Sequence, residues 1–260
     1  MALAPKDYAG RLYHIGLKRG DVGRVALLPG DPDRVARIAE RFEDAKEIAS
    51  HREFRTFGGR VGGVYVIATS TGLGGPSTAI AVEELARLGV ETMIRVGTCG
   101  SIQPKVRVGS LVVAEAAVRL DGTTRQYVME GYPAAASPDI VVALRDSAKA
   151  MGKTFALGVT ASTDSFYVGQ GRPGFGGYLP SAARGLVDDL RAAKVLCFEM
   201  ESSTLFTLGR LFGARTGAVF AVLADRTTDR FAPGAGVDDS IDLAVEAVRL
   251  LVRSPRRHRL

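Results

Sequence analysis

Two cysteines in 260 residues are too few for a disulfide framework, and Cys99 and Cys197 lack the close spacing of a structural zinc site. A reducing compartment is the expectation. No run of about 18 apolar residues occurs, so no membrane-spanning helix is expected. The opening stretch is broken by Pro5, Lys6, Asp7 and Arg11, which leaves no apolar core for a signal peptide and points to the cytoplasm. Internal repeats, low-complexity blocks and long linkers are also missing. The loop at 72–77 has no G-x-G-x-x-G, and the chain has no G-x-x-x-x-G-K-[ST], which argues against dinucleotide and Walker-type phosphate binding. Of 34 basic and 28 acidic residues (net +6), four arginines fall in residues 253–260, where no acid occurs; the remainder is 30 − 28, or +2. The basic character is mostly a property of the tail, best read as solvated. No basic face for nucleic acid is legible in the rest.

What is present is enough apolar sequence, 46%, to bury a sizeable core. Short runs rich in Val, Ile and Ala at 25–28, 64–69, 92–96, 110–115, 157–162, 195–200 and 218–224 read as buried strands. Between them lie helix signals. Pro76 opens a segment closed by Gly89, and Ser137 with Pro138 caps another ending near Gly152. Two more span about 201–212 and 239–252. This alternation predicts one α/β domain over residues 1–260, with a central mixed or mostly parallel sheet flanked by helices and a short basic tail at 253–260. Residues 168–185, with six glycines and two prolines, read as a loop or flap.

In such folds ligands gather beyond the carboxyl ends of strands. Gly30 and Arg34 follow the first run, and a glycine loop follows the second. Arg95 sits inside the third, where a charge is costly unless it is paired or faces a ligand. A buried carboxylate and a small anion are both candidates. Arginine suits an anion because its planar fork binds phosphate oxygens in bidentate fashion.

Six segments, Leu28-Pro-Gly-Asp-Pro-Asp-Arg34, Ser50-His-Arg-Glu-Phe54, Ser70-Thr-Gly-Leu-Gly-Gly-Pro-Ser77, Arg95-Val-Gly-Thr98, Phe166-Tyr-Val-Gly-Gln-Gly-Arg172 and Phe198-Glu-Met-Glu-Ser202, resemble in order the signatures of the nucleoside phosphorylases, uridine branch. The resemblance implies reversible phosphorolysis of a nucleoside to free base and ribose 1-phosphate, with phosphate as co-substrate and no required metal or redox cofactor. It assigns phosphate to Gly30, Arg34, Arg95 and Thr98, with Arg52 from a neighbouring subunit, and ribose to Met200 and Glu201, with His14 from the neighbour. Phe166 would stack on the base, and Gln170 and Arg172 would read the uracil edge. Some members hold a monovalent cation such as K+ between subunits; Glu53, Ser77 and the Leu73 carbonyl match those positions, and helix capping explains them equally well. The family also implies dimers assembled into a hexamer.

The chemistry agrees with these roles. Cleavage builds positive charge on the ribose and negative charge on the leaving base, so a catalyst needs an anion beneath C1′ and donors around the base. Two departures stand out. Asp225-Arg226 replaces the Asn-Arg usual in the uridine branch, and an acid there is typical of purine enzymes; Asp225 is expected to pair with Arg226 or Arg172. The flap is also shorter and richer in glycine than usual. The alternatives are a purine nucleoside phosphorylase, a nucleosidase of the same superfamily, or a non-catalytic module acting through the basic tail. Without the resemblance, His14 reads as a surface residue, Met200 as core and Cys99 as a small buried residue.

Overall fold

The computed structural model describes residues 5–6 and 10–253, so the tail beyond Arg253 lies outside the described residues. In chain order the elements are β1 (Val25–Leu28), α1 (Pro32–Ala39), β2 (Glu43–His51), β3 (Phe54–Val61), β4 (Val64–Thr69), α2 (Gly74–Leu88), β5 (Thr92–Ser101), β6 (Leu111–Leu120), β7 (Ala134–Ala135), α3 (Pro138–Ala150), β8 (Phe155–Thr163), α4 (Ser181–Arg184), α5 (Leu186–Ala192), β9 (Cys197–Glu199), α6 (Ser202–Phe212), β10 (Arg215–Asp225), β11 (Arg230–Phe231) and α7 (Val237–Arg253). All eleven strands belong to one mixed sheet. Strands β5, β10, β6, β8 and β9 pair in a closed ring, and β1, β4, β3 and β2 extend from it as an open wing.

The seven apolar runs become β1, β4, β5, β6, β8, β9 and β10. Their side chains alternate between two cores. Along β1, Ala26 and Leu28 pack with residues of α2 and α6, such as Leu85 and Phe206. Val25 and Leu27 pack with residues of α1, α3 and α7, such as Ile38, Leu144 and Leu243. The period of two that sends successive strand residues to opposite faces therefore settles where Arg95 points. Met93, two residues earlier, belongs to the α2/α6 core and Ile94 to the other, so Arg95 faces α2 and α6.

The hairpin of β2 and β3 is not visible as apolar periodicity. Strand β2 (EDAKEIASH) is largely exposed, and charges there protect the sheet edge from pairing with other chains. Helix ends follow local chemistry more closely. Gly89 closes α2 and Gly213 closes α6, both left-handed at φ 97° and 70°, the region glycine enters without a Cβ penalty. Ser137 stands before α3 as expected but does not cap it; its hydroxyl accepts from the Thr216 N–H of β10 at 2.9 Å, tying the helix start to the sheet instead. The stretch 168–185 is neither strand nor long helix. It holds two short 3₁₀ turns and α4.

Candidate active site

Strand β5 creates the opening. It runs parallel to β1 as far as Leu28 opposite Arg95, and the same edge meets β9 only at Gly100 opposite Phe198. Over residues 96–99 that edge has no strand partner, while the other stays paired with β10. A gap at the carboxyl end of β1 is the topological switch point where ligands enter such sheets. Arg34, on the first turn of α1, reaches into it and donates from Nη1 to the Val96 carbonyl at 3.2 Å. Thr98 lies half-buried in the same span.

Arg95 is 5% exposed. Both readings of it meet here, because Nη2 donates to the Glu201 carboxylate while Nε and Nη1 are buried with no hydrogen-bond partner among the described residues. Glu199 lies 3.9 Å from Nε, beyond hydrogen-bond range. Unsatisfied buried donors are costly, and two on one guanidinium, beside a second arginine, are groups that an anion can satisfy. Burial first, and then the nearby Arg95 charge, lower the Arg34 pKa. Gly30 completes the wall: a Cβ there would stand 3.1 Å from the Gly72 carbonyl and 3.6 Å from Arg95 Nη2.

Glu201 links three segments. Its carboxylate accepts from the Gly74 N–H at the start of α2 (2.8 Å) and from the Met200 N–H (3.2 Å), besides Arg95. Glu201 is the N-cap residue of α6 yet makes no side-chain cap bond to it. Sequence reasoning missed Glu199, which does: its carboxylate accepts from the Glu201 and Ser202 N–H groups at 2.9 and 2.8 Å. The signal was there, an acid at the end of a buried strand, the same feature that singled out Arg95. Burial, and then the Glu201 charge, push the Glu199 carboxyl up.

A second cluster lies further along β5. Gln170 is 3% exposed. Its Oε1 accepts from Arg172 Nη1 at 2.5 Å and its carbonyl from Arg226 Nη1 at 2.6 Å. Arg172 also covers one face of the Phe166 ring, 4.4 Å from the centroid, and Arg226 lies over Phe198 at 5.3 Å. Both arginines approach Gly100, where a Cβ would stand 3.8 Å from Arg172 Nη2 and 3.7 Å from Arg226 Cδ. Burial, then Arg172, push the Arg226 pKa down to about 10, and burial lowers that of Arg172. Asp225 pairs with neither, contrary to expectation. Its Oδ1 instead accepts from the N–H and hydroxyl of Thr227 at 2.9 and 2.6 Å, a turn in which the nearest donors follow in sequence. Burial works to raise its pKa, but these bonds and those of Thr228 outweigh it and the carboxyl is held low.

His14 and Arg52 stand apart. His14 Nδ1 donates to Glu84 at 2.6 Å, and Arg52 donates to the Tyr13 hydroxyl at 3.2 Å while lying over that ring. No hydrogen bond or ion pair joins either to Arg34, Arg95 or Glu201 among the described residues. Near the glycine loop, Ser77 Oγ donates to the Leu73 carbonyl at 2.9 Å, and a Cβ on Gly72 would meet Glu53 Cγ at 2.7 Å and Ser77 Oγ at 3.2 Å. The three oxygen donors of Glu53, Leu73 and Ser77 therefore share one corner, with the Leu73 carbonyl already engaged. Cys99 and Cys197 are buried, and burial pushes the Cys197 thiol well up, which disfavours thiolate chemistry there.

A buried arginine with unsatisfied donors among the described residues, a second arginine and a carboxylate beside it, and a polar, aromatic cluster further along β5 thus gather at the switch point of a mixed sheet. The chain belongs to the phosphorylase superfamily, whose sequence model matches residues 24–254. It is 53% identical over 247 residues to the uridine phosphorylase of Thermococcus kodakarensis, covering 95% of this chain and 89% of that one. The Escherichia coli K12 uridine phosphorylase is 41% identical over 249 residues, 95% and 97% of the two chains. A guanosine phosphorylase of Halorubrum lacusprofundi is 38% identical over 209 residues, 80% and 81%. Among the described residues no helix is long and apolar enough to cross a membrane.

Proposed function

We propose that this protein, as one catalytic domain, cleaves uridine reversibly with phosphate to give uracil and ribose 1-phosphate. The observation that carries the reading is Arg95, buried, with Nε and Nη1 lacking hydrogen-bond partners among the described residues and Arg34 beside it, donors that phosphate oxygens satisfy. The names of the relatives at 53% and 41% identity support uridine. Phosphate is held by Gly30, Arg34, Arg95 and Thr98, ribose by Met200 and Glu201, and the base by Phe166, Gln170 and Arg172. As the glycosidic bond lengthens, phosphate beneath C1′ stabilises the positive sugar, while Arg172 with Arg226 behind it neutralises the uracil anion.

His14 and Arg52, held on the surface by Glu84 and Tyr13, complete the site of a second copy, so the active unit is at least a dimer, assembled further into a hexamer. Glu53, Leu73 and Ser77 supply half of an oxygen-donor site for a monovalent cation between copies. A second reading, purine phosphorolysis, has Asp225 and the guanosine phosphorylase relative in its favour. Incubating the protein with phosphate and either uridine or inosine separates the two: uridine is expected to outrun inosine by about 10⁴-fold, the discrimination typical of a site built to hydrogen-bond one edge. Faster release of hypoxanthine overturns the uridine reading.

A further inference from the structure

The N-cap residue of α6 serves the start of another helix in this site. A helix leaves its first N–H groups without internal partners, and the residue at the N-cap ordinarily supplies the acceptor. At α6 that residue is Glu201, whose carboxylate instead serves the first N–H of α2 at Gly74 and Nη2 of Arg95. The amides of α6 are taken by residues from two strands. Glu199 Oε2 accepts from the Glu201 and Ser202 N–H groups, and Ser162 Oγ of β8 accepts from the Ser203 N–H at 2.9 Å. Ser162 also donates to Glu199 Oε1, which fixes the carboxyl plane, and Glu199 itself is buried.

We propose that Glu199, held by Ser162, is a positioning residue for sugar recognition: by taking the α6 amides it frees the carboxylate of Glu201 to face Gly74, Arg95 and the ribose hydroxyls. The inference rests on the assignment of Glu201 to ribose. Without Glu199 those amides lose their acceptor, and a Glu201 carboxylate that turns to cap its own helix leaves the sugar. Arg95 would lose its partner in the same movement.

The test compares kcat/KM for uridine and 2′-deoxyuridine, because only the former presents the 2′-hydroxyl. Replacement E199A is expected to lower kcat/KM for uridine about 30-fold, about 2 kcal/mol at 1.36 kcal/mol per tenfold, and for 2′-deoxyuridine less than about 5-fold. E199Q keeps an acceptor for the amides and is expected to preserve the wild-type ratio within about twofold. S162A leaves the Glu199 cap in place but unfixed, and should shift the ratio about threefold in the same direction. S162A decides the matter should E199A not fold. Equal losses on both nucleosides with E199A, or an unchanged ratio with S162A, overturn the proposal. E201A is the control. If it leaves the ratio unchanged, the ribose assignment fails and the role of Glu199 falls with it; if it shifts the ratio while the Glu199 and Ser162 variants do not, only the role of Glu199 fails.

Discussion

Replacing Arg95 with Ala separates what this residue does for the fold from what it does for the reaction. In the fold it is the cation of a buried ion pair with Glu201, and removing one partner of such a pair typically costs about 3–5 kcal/mol because the other charge stays buried and alone. For a chain of this size that corresponds to a fall in Tm of roughly 6–20 °C. The reaction suffers differently. One charge pair at about 4 Å is worth roughly 4 kcal/mol at an effective dielectric near 20, or close to 10³-fold in rate at 1.36 kcal/mol per tenfold. The two costs part company in the double variant R95A/E201Q. Neutralising the orphaned carboxylate should restore most of the lost Tm, whereas turnover stays as low as in R95A or falls further. Thermal melts and steady-state uracil release at varied phosphate read the two quantities. An R95A enzyme with near-normal kcat/KM for phosphate would refute the anion reading and leave Arg95 a structural residue.

Three further outcomes follow from the same geometry. Q170A should cost more uridine activity than D225N, since the Gln170 side chain is buried and accepts from Arg172, so its loss removes a base contact and leaves Arg172 less well held, while Asn can keep a carbonyl on the Thr227 bonds; the reverse order in kcat/KM favours the purine reading. Mixing inactive R52A and E201A subunits should recover part of the activity if sites are shared across a two-fold interface, and no recovery after confirmed subunit exchange counts against shared sites. Asp225 is held below the ordinary aspartate value of 3.8, so its contribution to stability is present above that value and is lost as pH falls toward the folded pKa. The Tm advantage of wild type over D225N should therefore shrink as pH falls below the ordinary aspartate value of 3.8, and a constant difference would show that the Thr227 and Thr228 bonds do not favour the carboxylate.

How much of this was legible in the sequence depends on the kind of signal. Buried strands announce themselves because both faces are covered, as the wholly apolar β1 shows, and glycine ends such as Gly89 do so because few other residues accept a left-handed turn. Strand β2 stayed hidden because an edge strand carries charge where periodicity needs apolar residues. Arg95 was conspicuous as a charge in an apolar strand, but its meeting with the Glu201 carboxylate depended on which face it took. That was settled only by its register beside β1, β10 and the two cores. Glu199 went unread for a related reason: its partners are backbone amides of α6 and a hydroxyl from β8, none of which has a sequence spacing that announces a bond. Asp225 shows the converse. Two arginines stood near in sequence, yet the closest donors were the Thr227 amide and hydroxyl, and local turn geometry prevailed over a longer-range charge pair.

The most direct measurement of the central claim is uridine cleavage by the purified protein with and without inorganic phosphate, following uracil by absorbance and the sugar product by phosphorus NMR. The nitrogens of Arg95 that lack hydrogen-bond partners among the described residues, beside Arg34, predict that uracil appears only with phosphate, in equal amount to ribose 1-phosphate, and saturably in phosphate concentration. Uracil released at the same rate without phosphate, with free ribose as the product, would contradict that account.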